Sequence, residues 1–257
     1  MRGTLTIANK DFKGFFVSPT FWMVSFLCCA IFSWVYPISL NMFSELVRNY
    51  IQQQGIPKQQ LNIHYGVFLR HISYLNLMLI FIVPALTMRL LAEEKKLRTY
   101  DLLLTSPVTS LEIVAGKYLA VLGAIVGIIV ISLLYPIVTS LMASVQWVPL
   151  LVSFFGIFLV AAVYAAMNLF CSALTESIIV AYVMSVIFNV AIWFIGVGVE
   201  VVDSPTARQI FEHISLNNHL SGLVEGTIRS SGLVFFISVI ALFGFLAERV
   251  VESSRWR

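Results

Sequence analysis

Six runs of apolar residues, each about twenty residues long or more, dominate the chain, at 20–42, 72–91, 114–142, 149–173, 177–200 and 231–248. A helix rising about 1.5 Å per residue needs roughly twenty such residues to cross the hydrocarbon core of a bilayer. The pattern therefore predicts an all-α integral membrane protein with six transmembrane helices, the whole of 1–257 forming one transmembrane domain. An even number of crossings puts both termini on one side. Pro37, Pro84 and Pro136 fall inside runs, where kinks are tolerated if neighbouring helices satisfy the freed backbone groups.

The polar stretches carry patterns of their own. Over residues 1–17, at about 100° per residue, Leu5, Ala8, Phe12, Phe15 and Phe16 share one face and Arg2, Thr6, Asn9, Lys10 and Lys13 the other. This predicts an amphipathic interfacial helix lying flat on the inner leaflet, in place of a frayed basic tail. Ser18-Pro19 then supplies an N-cap and a proline at the first position of the first span. The longer outer loops are 43–71, read as a helix extension broken at Gly55-x-Pro57, and 201–230, where Asp203-Ser204-Pro205 signals a new helix start.

Between the second and third runs, helix formers extend from Leu90 to Leu104, with Leu97, Tyr100 and Leu104 on one face and Lys95, Lys96, Arg98 and Thr99 pointing largely away. Thr105-Ser106-Pro107 ends that helix, and Thr109-x-x-Glu112 is a capping box that starts another running through Gly116-Lys117 into the third span. Helix, stop and restart at a membrane surface describe a rigid knob tied to two spans. A loop whose charges do no more than fix topology is the plainer alternative.

Composition agrees with a membrane setting: 59% of residues are hydrophobic and 11% charged, and the mean hydropathy is +0.92. Eleven Lys and Arg lie on the side of the termini and the 89–117 segment, against Arg48, Lys58, Arg70, Arg208 and Arg229 on the other, which places the termini in the cytoplasm. The net charge of +3 is gathered in loops and gives no support for nucleic-acid binding. Cys28, Cys29 and Cys171 sit in apolar runs and read as reduced packing residues. His64, His71, His213 and His219 fall on the outer side with no metal-ligand spacing, so they read as exposed loop histidines.

The pattern Arg89, Ala92-Glu93-Glu94, Arg98-Thr99, Asp101 to Pro107 and Gly116-Lys117-Tyr118 resembles the signature of ABC-2-type transporter permeases, in particular the small six-span branch of gliding-motility GldF-like and NosY-like permeases. The chain departs from it at Arg98, where the family often has Gly, and at Asp101, where it often has Glu. Ser215 to Leu220 and Gly226-Thr227-Ile228 are similar to the family's segment before the sixth span. The resemblance implies a type V exporter-like fold, a coupling helix docking on an ATP-binding-cassette ATPase subunit, and a last outer loop folded partly back into the membrane. Glu93, Glu94, Leu97, Thr99, Tyr100, Asp101 and Leu104 are the residues it assigns to that contact. Six spans are half the usual complement, so a second copy or a homologous permease, possibly carrying a large external domain, is implied, in a bacterial cytoplasmic membrane. Gly116-Lys117 lacks the remainder of a phosphate-binding loop, so ATP and Mg are expected on the partner and no cofactor in this chain.

Within the spans no acidic or basic residue lies near a centre, which argues against an ion relay. Asn76, Asn168 and Asn189 read as interhelical hydrogen-bonding residues before they read as a substrate path, and Gly123-x-x-x-Gly127 reads as a helix-packing site. No catalytic, cofactor-binding or metal-ligating residue is assigned. An intramembrane enzyme lacks its motifs; the remaining choices are a permease that exports a solute and a non-transporting scaffold or force-transmitting subunit of an envelope machine.

Overall fold

The computed structural model describes residues 2–53, 62–100, 105, 107–201 and 204–256. Among them every regular element is helical: α1 (Arg2–Val17), α2 (Pro19–Gln53), α3 (Leu69–Thr87) preceded by a π-helical turn at His64–Phe68, α4 (Ala92–Lys96), α5 (Ser110–Ser140), α6 (Trp147–Leu174), α7 (Ile178–Val201), α8 (Pro205–Ile214), α9 (Leu216–Val224) and α10 (Ser230–Ser253). Six of these, α2, α3 with its flanking turns, α5, α6, α7 and α10, are long and apolar enough to cross a membrane. Asp101, Leu104, Ser106 and the Gly55-x-Pro57 break lie outside the described residues.

The signals for starts and stops act locally. Ser18 separates α1 from α2, and its hydroxyl accepts from the Thr20 amide at 3.3 Å. The Thr109–Glu112 capping box is reciprocal, with both side-chain-to-backbone hydrogen bonds at 3.2 Å. Ser204 precedes Pro205 as the α8 start, and Ser215 caps α9 by accepting from Asn218. Several spans are wider than the apolar runs, since α2 reaches Gln53 and the second span begins at His64, whereas α5 stops at Ser140, inside its run of 114–142, and the fifth span, Ile178–Gly198, lies within 177–200.

α6 is the axis of the bundle, with Leu150, Ile157, Val160, Tyr164 and Met167 fully enclosed, and α3, α5, α7, α9 and α10 pack round it. α2 runs along α5 in the same direction, where Tyr135 donates to the Cys29 carbonyl at 2.9 Å and Tyr36 and Thr139 hydroxyls meet at 2.6 Å. Pro37, Pro84 and Pro136 are carried inside continuous helices.

The outer-loop reading of His64 and His71 is corrected by this arrangement. Both are buried in the second span, where His64 Nε2 lies 2.8 Å from the Val224 carbonyl and His71 Nε2 2.8 Å from the Ser132 hydroxyl. The apolar-run scan began that span late because polar residues satisfied by a neighbouring helix lower hydropathy without ending the helix.

Candidate functional site

The segment between α3 and α5 is the centre of the charged chemistry. The predicted helix from Leu90 to Leu104 is corrected: α4 is five residues long and stops at Lys96. The Thr99 amide donates to Glu94 O at 3.0 Å and the Arg98 amide to Lys95 O at 3.1 Å, while Arg98 itself has φ +56°. That is a Schellman closure with a left-handed residue at the first position beyond the cap. The conformation is the one in which glycine has no steric penalty, so the position where this chain departs from the family pattern is the position that needs a positive φ.

α4 is pinned on three sides. Ser172, near the end of α6, accepts from the amides of Leu91 and Ala92 and donates to the Met88 carbonyl at 3.2 Å. Lys95 Nζ donates to the Ala173 carbonyl at 2.5 Å and lies 5.2 Å from the Tyr100 ring centre. Lys117, on α5 and only 2% exposed, pairs with Glu94 at 2.8 Å and with Asp11 of α1 at 3.2 Å; Lys10 adds a longer contact to Glu94 at 3.8 Å. A buried ammonium is tolerated only when paired and hydrogen-bonded, and two carboxylates from two other helices meet that need.

The residues assigned to the ATPase contact are thereby separated. Leu97 is 63% exposed and Thr99 is exposed at the tip, while Glu93 is half-buried beside a cavity of about 380 Å³ walled by α1, α3 and α4. Glu94 turns inward to Lys117. Tyr100 is buried at 5% exposure. The sequence reading tied this element to the second and third spans alone. It missed Ser172, Asp11 and Lys117 as its anchors, since two lie far away in sequence and Lys117 stood only as half of a Gly-Lys pair.

α1 is helical, as the wheel indicates, but its placement differs from a helix lying free on a surface. A Cβ at Gly3 would meet Val108 and Glu112, one at Gly116 would meet Ile7 and the Thr4 carbonyl, and one at Gly123 would lie 2.6 Å from the Phe12 ring. Contacts that advance together along both helices mean that α1 runs beside the start of α5 in the same direction. The seated stripe is Gly3, Ile7, Asp11 and Phe15, at i, i+4 spacing on the flank of the apolar face; Leu5 (65%) and Phe16 (39%) remain exposed. Gly123 and Gly127 accept the rings of Phe12 and Phe21, from α1 and α2, in place of a close backbone crossing.

At the opposite end of the bundle, α9 inserts against α6 and α7. Leu220 and Leu223 press on Gly156, Asn76 donates to Asn217 at 3.1 Å, and Gly226, at φ +83°, closes the helix beside Pro149. Asn189 of α7 donates to the Ile80 carbonyl at 3.1 Å. The buried Asn168 amide has no hydrogen-bond partner among the described residues.

No match is found among curated proteins. A family model described as "ABC-2 family transporter protein" matches residues 5–247, which is nearly the whole chain. With six membrane-length helices, no strand among the described residues and a polar element clamped between the second and third of those helices, the chain belongs to the ABC-2 transporter family.

Proposed function

We propose that this permease couples ATP hydrolysis by a separate ATP-binding-cassette subunit to export across a bacterial cytoplasmic membrane. The end of the bundle carrying both described chain ends and α4 is the cytoplasmic end, and a second copy or a homologous permease completes the transporter. ATP and Mg belong to the ATPase subunit. The single observation that carries the reading is the clamp: Leu97 and Thr99 are presented just beyond a five-residue helix that Ser172 holds against α6 and that Lys117, itself paired with Asp11 of α1, holds against α5. A push delivered to that tip is therefore delivered to spans on both sides of it. Glu94 and Tyr100 act in this scheme by holding the element, with Leu97, Thr99 and Glu93 touching the ATPase; Asp101 and Leu104, which lie outside the described residues, are assigned to that contact by the family pattern alone.

Co-purification tests the assignment. Leu97→Asp places a charge in the centre of the contact and is expected to lower recovery of the ATPase at least tenfold, as loss of an interface anchor worth about 2 kcal/mol would do, with membrane insertion unchanged. Undiminished recovery of an active ATPase removes the coupling assignment. An ATPase that still couples to the permease and to a large external partner, while no solute crosses in reconstituted vesicles, favours the force-transmitting scaffold instead.

A further inference from the structure

The cavity of about 380 Å³ beside Glu93 lies where α1 meets the start of α2, with the end of the second span, α4 and Lys117 of α5 closing it on the other sides. Its depth is set by the chain itself, since Ser18 and Thr20 stand in the lining at the break between α1 and the first span, and the outward residues Trp22, Met23 and Phe26 begin an apolar face just beyond them. That is headgroup level. Three cations, Lys10, Arg89 and Lys117, and three carboxylates, Asp11, Glu93 and Glu94, share the lining. We infer that the cavity holds the headgroup of a zwitterionic phospholipid whose cation bears N–H donors, an ethanolamine phosphate ester in the leaflet of α1. That this leaflet is the cytoplasmic one rests on the orientation proposed above; the site itself does not.

Pairing inside the lining narrows the ligand. Lys117, 2% exposed, takes up Glu94 at 2.8 Å and Asp11 at 3.2 Å, and Lys10 reaches Glu94 at 3.8 Å. Arg89 and Glu93 remain. They stand one helical turn apart, a spacing at which opposite charges ordinarily meet, yet neither has an ion pair among the described residues. One open guanidinium and one open carboxylate on a single cavity complement a ligand that carries both signs. The guanidinium fork matches two phosphate oxygens, and the hydroxyls of Ser18 and Thr20, which donate to no described residue, add further donors for them. Glu93 needs a donor in return, which the ammonium of ethanolamine supplies and the trimethylammonium of choline does not. Because the formal charges of the lining cancel, a headgroup with a net negative charge gains nothing from the cavity as a whole. Phe15 and Leu86 give the wall an apolar part that covers the glycerol and the first methylenes, which a water-soluble phosphate ester lacks.

The test is native mass spectrometry of the full chain, delipidated in detergent and titrated with dioleoyl phosphatidylethanolamine, phosphatidylcholine or phosphatidylglycerol. The ATPase is left out, so the contact proposed for Glu93 with that subunit does not enter. Phosphatidylethanolamine is expected to give one saturable adduct per chain, held about fivefold more tightly than either of the other lipids. Arg89→Gln, a change at an exposed position, is expected to weaken all three, and Glu93→Gln, which leaves the lining with a net positive charge, to shift the preference from phosphatidylethanolamine to phosphatidylglycerol. Lys13→Gln, an exposed change on α1 outside the lining, should alter nothing. Soluble phosphoethanolamine is expected not to displace the lipid at equal concentration. Equal retention of the three lipids, adducts that accumulate without saturating, a phosphatidylethanolamine adduct untouched by Arg89→Gln or lost equally in Lys13→Gln, or displacement by phosphoethanolamine overturns the proposal; the comparison of the three lipids on the unmodified chain decides it even if a variant does not fold. Intact ATPase coupling without selective lipid retention removes only the site, and selective retention without ATPase coupling removes only the permease reading.

Discussion

Arg98 shows how one residue can sit against its own conformational preference and still be placed by the backbone around it. At φ +56° its Cβ crowds the following carbonyl, an arrangement that costs a non-glycine residue roughly 1–2 kcal/mol. Two backbone hydrogen bonds of the Schellman closure hold it there. Arg98→Gly is therefore expected to raise stability by about 1 kcal/mol, less what glycine gains in unfolded-chain entropy, and Arg98→Val to lower it; thermal unfolding in detergent followed by Trp fluorescence reads both. A lower melting temperature for Arg98→Gly than for Arg98→Val would contradict the assignment. Asn168 offers a second residue-scale contrast. It is fully enclosed and its amide pairs with nothing described, whereas Asn76 and Asn189 bridge helices. Replacing an unsatisfied buried amide by a leucine of similar size removes a cost of about 1–3 kcal/mol, so Asn168→Leu is expected to be neutral or stabilising and Asn76→Leu, which orphans Asn217, destabilising. The sequence identified all three asparagines as candidates for interhelical bonding but had no means to separate them, because hydropathy registers the amide and not what faces it.

At the scale of elements, the ion cluster of Asp11, Glu94 and Lys117 joins α1, α4 and α5 at side-chain exposures of 12%, 18% and 2%. Removing the cation leaves two carboxylates facing each other in a partly dry site, so Lys117→Met is expected to cost about 3–5 kcal/mol and to free α1 from α5. Protease access to α1 together with thermal stability reads both effects. The triple change Asp11→Asn, Glu94→Gln, Lys117→Met leaves no charge unpaired and should recover much of the loss; if it is no better than Lys117→Met alone, the cluster is not what seats α1. The elements themselves were legible: the wheel over 1–17, the Ser18-Pro19 restart and the Thr109–Glu112 box are each written in local sequence and appear as helices and caps. Their mutual placement was not. A helix wheel reports which face is apolar, and in a protein with lipid as one of its solvents an apolar face has two places to go. Leu5 and Phe16 stay outward while the flank through Ile7 and Asp11 meets α5. The over-long helix drawn from Leu90 to Leu104 has the same origin, since helix propensity cannot see that Ser172 takes up the amides at the start of α4 and a left-handed residue ends it.

For the whole molecule, the division between protein-facing and outward-facing surface follows from one buried helix. In their most apolar windows α6 is 72% buried, while α7 and α10 are 17% buried each, and outward residues such as Ile179, Ile187, Val234 and Ile237 keep an apolar surface that only lipid or another membrane helix can cover. The direction of the bundle across the membrane rests on two independent arguments. Gly3 packs on Val108 near the start of the chain, and Arg255 donates to the Val108 carbonyl near its end, so both described ends meet the start of α5 and lie at the same end of the bundle as α4. In the sequence, eleven Lys and Arg fall on the side of those ends against five on the other, the asymmetry that by the positive-inside rule points to a cytoplasmic side. The geometry shows which described segments share a side and the charge count is the ground on which the proposed function takes that side as cytoplasmic, so a single pair of positions tests the orientation. In a background with Cys28, Cys29 and Cys171 replaced, a cysteine at Lys96 is expected to react with a membrane-impermeant maleimide only after the cells are opened, and one at Arg208 on α8 to react in intact cells. Both positions are exposed, so failure to react reports the barrier and not burial. Reaction at Lys96 from outside with none at Arg208 would invert the bundle, placing the clamp out of reach of ATP and removing the coupling proposal with it.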